Sequence, residues 1–474
     1  MGEERDWLYE SDEVLGSIRR FEDMIKKKAQ YFFDVYEFEE IINYYIETNN
    51  FNRAVSAAEY GYRIYPDSTV IQLKIAHLLI DRGKAAESIG ILNRIEKIEQ
   101  SNYEVYILKG SAYNLLGKTS EAREHFDKAV SLSHEDNRDT ILYNIGVTFE
   151  QQCNYKAAIQ YFLESYELDP DNFTILYDLA FCYEHLDENK KSIYYYDKYL
   201  DQEPYSDIAW FNLGAVYNKV EDFEKSLEAY DFVIAINEKY SSAYFNKANT
   251  LSNLERYKEA LPEYLEYLKF EEDHVMTHCY IGECYEKLTL YEESLYFFQK
   301  AVALDPNCAE AWFGKGIVKM HLENYDESLS YIIRALELNE DNTEYLYAQG
   351  LVYMRQKDHK NGIKIFKHLV ELESTDYDAW LNYSELLLIT GKLDQAIEVL
   401  RKANDLNLNN ANINFRLASY MFLQNNMDLG FSYLEKALFI DADAIEDLYD
   451  FYPEAALNET ISAIINKSQD NQLL

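Results

Sequence analysis

The sequence predicts an all-α protein, a solenoid of stacked helix pairs. Three observations carry that prediction. One pattern returns every 34 residues, apolar residues inside each period keep helical spacing, and two fixed offsets are kept for small side chains. The clearest period is Asp207–Tyr240, DIAWFNLGAVYNKVEDFEKSLEAYDFVIAINEKY. Two amphipathic segments face each other there across a short polar turn around Val220 to Phe223. Trp210, Leu213, Gly214 and Tyr217 mark the first segment, and Ser226, Tyr230 and Val233 the second.

Residues 1–34 do not follow the period. Ser11-Asp12-Glu13 reads as a helix start, with acid near the positive end of the dipole, and Val14, Ile18, Phe21 and Ile25 then recur at helical spacing. Lys26-Lys27-Lys28 closes the segment, which is expected to be an N-terminal capping helix.

Repeats are expected over residues 35–444, starting near Val35, Thr69, Tyr103, Asp139, Phe173, Asp207, Ser241, Val275, Ala309, Thr343, Tyr377 and Ala411. Every spacing is 34 residues except the 36 from Tyr103 to Asp139. The extra pair falls in Ser133–Asp139, where a loop tolerates insertion better than a packed interface does. The eighth position is small, as in Gly214, Gly282 and Gly316, because two helices cross there. Ile42 departs from this, so the first pair is expected either to splay or to pack on the capping helix. The twentieth position is likewise small, as in Ser226, Ser294 and Ser328. Pro66, Pro170, Pro204 and Pro306 stand at the thirty-second position, where proline forbids continuation of the second helix. No single 34-residue unit buries enough apolar surface to stand alone, so neighbours complete its core. Beyond Ala444 the period fails. Ile445–Tyr452 and Ala455–Lys467, parted by Pro453, read as C-terminal capping helices over residues 445–474, and the tail SQDNQLL is expected to fray.

The pattern W-x2-L-G-x2-Y followed by a small residue and an aromatic, at this period, resembles the tetratricopeptide repeat family. The resemblance implies a right-handed superhelix whose concave face is lined by the first helix of each repeat. It also implies protein or peptide binding at positions two, five, six, nine, twelve and thirteen of that helix. The sixth position carries Asn144, Asp178, Asn212, Asn246 and Asn382. An amide both donates and accepts, so such a row can hold the backbone of an extended peptide whatever its sequence. It is similar to the asparagine ladder of O-linked N-acetylglucosamine transferases, though interrupted by Asp178 and ended by Tyr280, Gly314 and Ala348. Tyr143, Tyr177, Phe211, Phe245 and Phe313 stand beside it at the fifth position, with Asn218, Asn249 and Asn253 further along. The alternative reading is that these asparagines and rings are the consensus and packing residues of the repeat. The expected patch lies in the repeats from Asp139 to His274.

Charge sharpens the expectation. The chain carries 45 basic and 84 acidic residues, a net −39. That argues against nucleic acid, where cations supply most of the affinity, and favours a neutral or basic partner. Across the eight repeats from Asp139 to Asn410, the groove positions hold nine acids (Glu150, Asp178, Glu184, Glu283, Glu286, Glu310, Glu344, Asp378 and Glu385) against Lys219, Lys287 and Arg355. Co-chaperones of the family grip a C-terminal carboxylate with lysines, arginine and asparagine at positions two, five, six and nine; no fifth position here is lysine, so chaperone-tail binding is not expected.

No phosphate loop, nucleophile elbow or zinc-protease motif occurs, and no enzyme activity or cofactor is expected. His274, His278, Cys279 and Cys284 lie close in sequence, but the spacing gives no second ligand pair for a metal. No apolar run spans a membrane, the N-terminus lacks a secretory h-region, and Gly2 lacks the serine or threonine that myristoylation needs. The five cysteines are scattered at helical positions, as in a reduced, cytoplasmic protein. The expected function is therefore a non-catalytic scaffold. The alternative is a structural component that assembles with its own copies through its caps or convex face.

Overall fold

The computed structural model describes residues 12–27, 31–406 and 410–472. Residues 1–11, with Gly2 and Ser11, 28–30, with Lys28, 407–409, and the final Leu473 and Leu474 lie outside the described residues. The protein is an all-α solenoid of helix pairs, and no strand occurs among the described residues. It divides into two compact units, residues 1–240 and 241–474.

The first unit opens with a helix, Asp12–Lys27, followed by six helix pairs whose first helices begin at Val35, Thr69, Tyr103, Arg138, Thr174 and Asp207. The opening helix buries Val14, Ile18, Phe21 and Met24, while Ile25 is exposed. Met24 takes the place expected of Ile25 in a cluster completed by the returning segment, where Phe33 sits 6.1 Å from Phe21 and 5.4 Å from Phe38. Asp34 and Glu37 form a reciprocal cap on the next helix: each carboxylate accepts from the other's backbone N–H, at 2.8 and 3.0 Å. Arg20 pairs with the same Glu37 and fixes the opening helix to that cap. Ile42 is fully buried in the cluster with Val14, Ile18 and Phe21, so the first pair packs against the opening helix rather than splaying. The two-residue insertion forms a 3-10 turn, Glu135–Asn137, leading directly into the helix Arg138–Glu150.

The second unit contains six further pairs, with first helices starting at Ser241, Val275, Ala309, Thr343, Tyr377 and Ala411. After Ile440 the chain forms a short helix, Glu446–Phe451, a 3-10 turn, Pro453–Leu457, and a last helix, Glu459–Gln472. This last helix starts later than expected. Pro453 opens the 3-10 turn, and Asn458 is extended and accepts from the N–H groups of Thr460 and Ile461. It also runs through Gln472, where fraying was expected, with Ile461 and Ile465 buried beneath its first half. Arg416 closes the C-terminal end. Its guanidinium donates to Asp447 (2.5 Å) and to the Leu381 carbonyl (3.1 Å), and lies 4.0 Å over the Phe451 ring.

Two devices repeat in both units. At the helix crossing a serine in the second helix donates to a first-helix carbonyl twelve residues back: Ser226 to Gly214 at 2.8 Å and Ser294 to Gly282 at 2.7 Å. The glycine is required there, since a Cβ at Gly214 would stand 2.8 Å from the buried Tyr230 ring. The second device is the turn inside each pair. Its backbone is left-handed at Asn49, Gly83, Gly117, Cys153, Asp187, Glu221, Glu255, Thr289, Glu323, Lys357, Gly391 and Asn425. Only three of these are glycine, so most turns bear the strain of a Cβ in that region.

Candidate functional site

Two of the sixth-position amides are bound within the fold. Asn212 donates from its side-chain nitrogen to the Tyr177 hydroxyl at 2.9 Å, and Asn382 does the same to Tyr347 at 3.0 Å. In each case an amide is tied to the fifth-position ring of the preceding repeat. Tyr177 is further wedged against Tyr196 and Tyr199, with ring centroids 5.8 and 5.5 Å away. Phe211 packs on Tyr230 and Tyr240. Tyr143 packs on Phe162, and its hydroxyl pairs with Asp178. Asn144 is exposed, while Asn218 is half-buried on the last turn of its helix.

Asp178 and Glu150 lie on neighbouring first helices of the first unit. Burial pushes the Asp178 carboxyl up to about 6, against the opposing pull of Tyr143. Burial, then the charge of Asp178, pushes Glu150 up to about 7. One Asp178 oxygen is enclosed without a hydrogen-bond partner. Among the described residues no cation pairs with either carboxylate.

The second unit holds a cavity of about 670 Å³. The first helix Ser241–Asn253 supplies Asn249, Ser252 and Asn253, and the following second helix supplies Tyr257 and Tyr264. The first helix Val275–Lys287 gives Tyr280, Glu283, Cys284, Glu286 and Lys287. Glu310, Phe313, Gly314 and Ile317 follow from the next first helix, and Glu344 and Tyr345 from the one after. Gly314 occupies a sixth position. A Cβ there would stand 2.2 Å from the ring of Phe298, which is itself buried and lines the cavity. The Phe298 ring therefore takes the place that a sixth-position side chain fills in other repeats.

Aromatic rings form the walls. Tyr264 stacks on Tyr280 at 5.8 Å and Phe313 on Tyr345 at 4.3 Å, while Phe245 packs behind, 6.0 Å from Tyr280. Asn249 accepts from the Tyr264 hydroxyl at 2.6 Å, and Asn253 is exposed. The half-buried Asn246 has its carbonyl engaged by Thr250.

The carboxylates differ in how they are answered. Glu286 is buried and paired with Lys287 (3.2 Å) and His321 (2.9 Å). Glu310 accepts from the Cys308 thiol at 3.5 Å. Glu283 is reached by solvent yet enclosed by protein on most sides, as on the floor of a concavity. That enclosure, then the charge of Glu344, pushes its carboxyl up to about 7, with Lys287 pulling the other way and Glu286 and Glu310 adding to the rise.

The expected patch is thus distributed. Tyr143 meets Asp178, and Tyr177 meets Asn212, in the first unit. Asn249 and Asn253 join the cavity in the second, with Phe245 behind them. Tyr257, Tyr264, Gly314 and Tyr345 complete the cavity and were not singled out as site residues in the sequence. The histidines and cysteines near residue 274 have structural partners. His274 caps its helix by accepting from the Thr277 N–H at 3.2 Å, and the Cys279 and Cys308 sulfurs lie 3.7 Å apart. Among the described residues no three His, Cys, Asp or Glu side chains are placed to share a metal ion, and no helix is long and apolar enough to cross a membrane.

Family models described as tetratricopeptide repeat match residues 103–171, 143–207, 241–274 and 278–308. A model described as anaphase-promoting complex, cyclosome, subunit 3 matches residues 321–403. The TPR repeat-containing protein YpiA of Bacillus subtilis (strain 168) is 26% identical over 123 residues, which span 26% of this chain and 29% of YpiA. Among solved structures, the chain is similar to YrrB, described as a TPR protein with an unusual peptide-binding site. That likeness has 20% identity and a TM-score of 0.37, covering 40% of this chain and 97% of YrrB. It is also similar to the C-terminal part of a TPR repeat-containing protein from Cytophaga hutchinsonii, with 16% identity and a TM-score of 0.44, covering 51% of this chain and 98% of the other. The period, the helix pairs and the family-model matches agree on tetratricopeptide repeats over residues 103–207, 241–274 and 278–308.

Proposed function

We propose that this protein is a non-catalytic cytoplasmic scaffold that holds a protein or an extended peptide along its first-helix face. Proteins of this repeat family generally mediate protein–protein interactions. The observation that carries the reading is the cavity at Glu283, where Glu283 and Glu344 stand beside aromatic walls without an ion-pair partner among the described residues. The partner is neutral to basic, since the same face is acidic in both units. Tyr143, Asn144, Tyr177, Asp178, Phe211, Asn212 and Asn218 form its reach in the first unit. Phe245, Asn246, Asn249 and Asn253 form it in the second. Asn144 and Asn253 are exposed, so Asn144→Arg and Asn253→Arg leave the packing alone while adding cations to the contact surface. Affinity capture from the native cell tests this: partner recovery should fall with both variants, and unchanged recovery would count against it.

A second reading, self-association, rests on the C-terminal end, where Phe439 and Leu457 are 88% and 86% exposed. Sedimentation that stays monomeric with rising concentration would remove it.

A further inference from the structure

We infer that the cavity at Glu283 takes one arginine side chain from an extended partner peptide. This deepens the proposed function and rests on it. Four carboxylates line the cavity against one ammonium, Lys287. Glu286 is already engaged by Lys287 and by the His321 ring, whereas Glu283 and Glu344 have no ion-pair partner among the described residues. The acids are spread over three helices and are not placed to share a metal ion, so an extended organic cation suits them better than a point charge.

The rings choose among organic cations. Tyr264–Tyr280 and Phe313–Tyr345 form two stacks in the same walls. A planar, weakly hydrated guanidinium lies on ring faces while its edge donates to carboxylates, whereas an ammonium is a compact, strongly hydrated charge. This chain already uses that chemistry at its C-terminal end, where Arg416 lies over Phe451 and donates to Asp447. The cavity volume of about 670 Å³ admits an arginyl side chain with the peptide bonds on either side. Asn249 keeps its amide nitrogen for those peptide bonds after its oxygen accepts from Tyr264.

The test uses the full chain and a dye-labelled neutral nonapeptide with one central arginine, beside its citrulline and norleucine counterparts. Fluorescence anisotropy should give the arginine peptide an affinity ~10-fold or more above both neutral ones. Glu283→Gln with Glu344→Gln should erase that preference, while Lys287→Met, which removes the competing cation, should strengthen arginine binding. The gain in the lysine variant separates a cation site from a folding defect. Arginine affinity should also fall between about pH 8 and pH 6, as Glu283 takes up a proton in the field of Glu344, Glu310, Glu286, Lys287 and the His321 behind Glu286. Equal binding of arginine and citrulline peptides, no binding of the arginine peptide at ~1 mM, or a preference unchanged in the double glutamine variant would overturn the inference. If these peptides fail while partner capture still depends on Asn144 and Asn253, the scaffold reading stands and the arginine pocket falls.

Discussion

Gly314 and Phe298 share a space that cannot hold one more carbon: a Cβ on the glycine would meet the ring at 2.2, 2.3 and 2.7 Å. Phe298 is buried in a cluster with Cys279, Ala301, Val302 and Ala311, which resists its displacement. Gly314→Ala should therefore destabilise the second unit by ~1–3 kcal/mol through overpacking, seen as a lower urea midpoint. An unchanged midpoint would mean that the ring moves freely and that the cavity is not set by this contact.

Glu283 should make stability depend on pH in an unusual sense. Its folded carboxyl is pushed up to about 7, above the ordinary carboxylate range, so ionisation costs the folded state. The cost is fully present above about pH 7 and disappears as pH falls toward the ordinary carboxylate range. Glu283→Gln should raise the melting temperature at about pH 8 and leave it nearly unchanged at about pH 4. A loss of stability at the higher pH would show that the charged form is well solvated in place.

Thr289 is β-branched and sits at φ 60°, where a Cβ crowds the following carbonyl. Thr289→Gly should stabilise the protein by ~0.5–1 kcal/mol, after the larger chain entropy of glycine is counted. Asn49→Gly, at φ 55°, should change stability much less because asparagine tolerates this region. Equal effects at both positions, read by denaturant unfolding, would contradict the strain argument.

Asp447 and Arg416 form a pair with little solvent around either side chain. Asp447→Ala leaves the guanidinium buried over Phe451 with its main counter-charge gone, and should cost ~3–5 kcal/mol. Hydrogen exchange should show the loss concentrated in the helices that Arg416 joins, Ala411–Leu423 and Glu446–Phe451. A loss under ~1 kcal/mol would mean that the end is held by its apolar cluster alone.

Much of the fold was legible because packing imposes it at fixed offsets. Gly214 and Ser226 are small for a reason that applies wherever two helices cross, and proline after the second helix stops it wherever it occurs. The left-handed turn residue was not legible, since Cys153, Thr289 and Lys357 stand where glycine would have marked the conformation. The site was half legible. Following asparagine led to Asn212, whose amide nitrogen is held by Tyr177. The aromatic-walled cavity of the second unit instead lies where the asparagine run ends. Gly314 marks it, and a missing side chain acquires meaning only when Phe298 is placed beside it. The acids were the better guide, for Glu283, Glu310 and Glu344 stand at groove positions and all line the cavity.

The central claim is that the first-helix face meets the partner. Site-specific photocrosslinking tests it most directly, with a benzophenone amino acid at Tyr280, in the cavity, or at Tyr296, which is 57% exposed on a second helix. Irradiation in the native cell should give protein adducts from position 280 and none from position 296. Adducts from 296 alone, or only adducts between copies of this chain, would contradict the account.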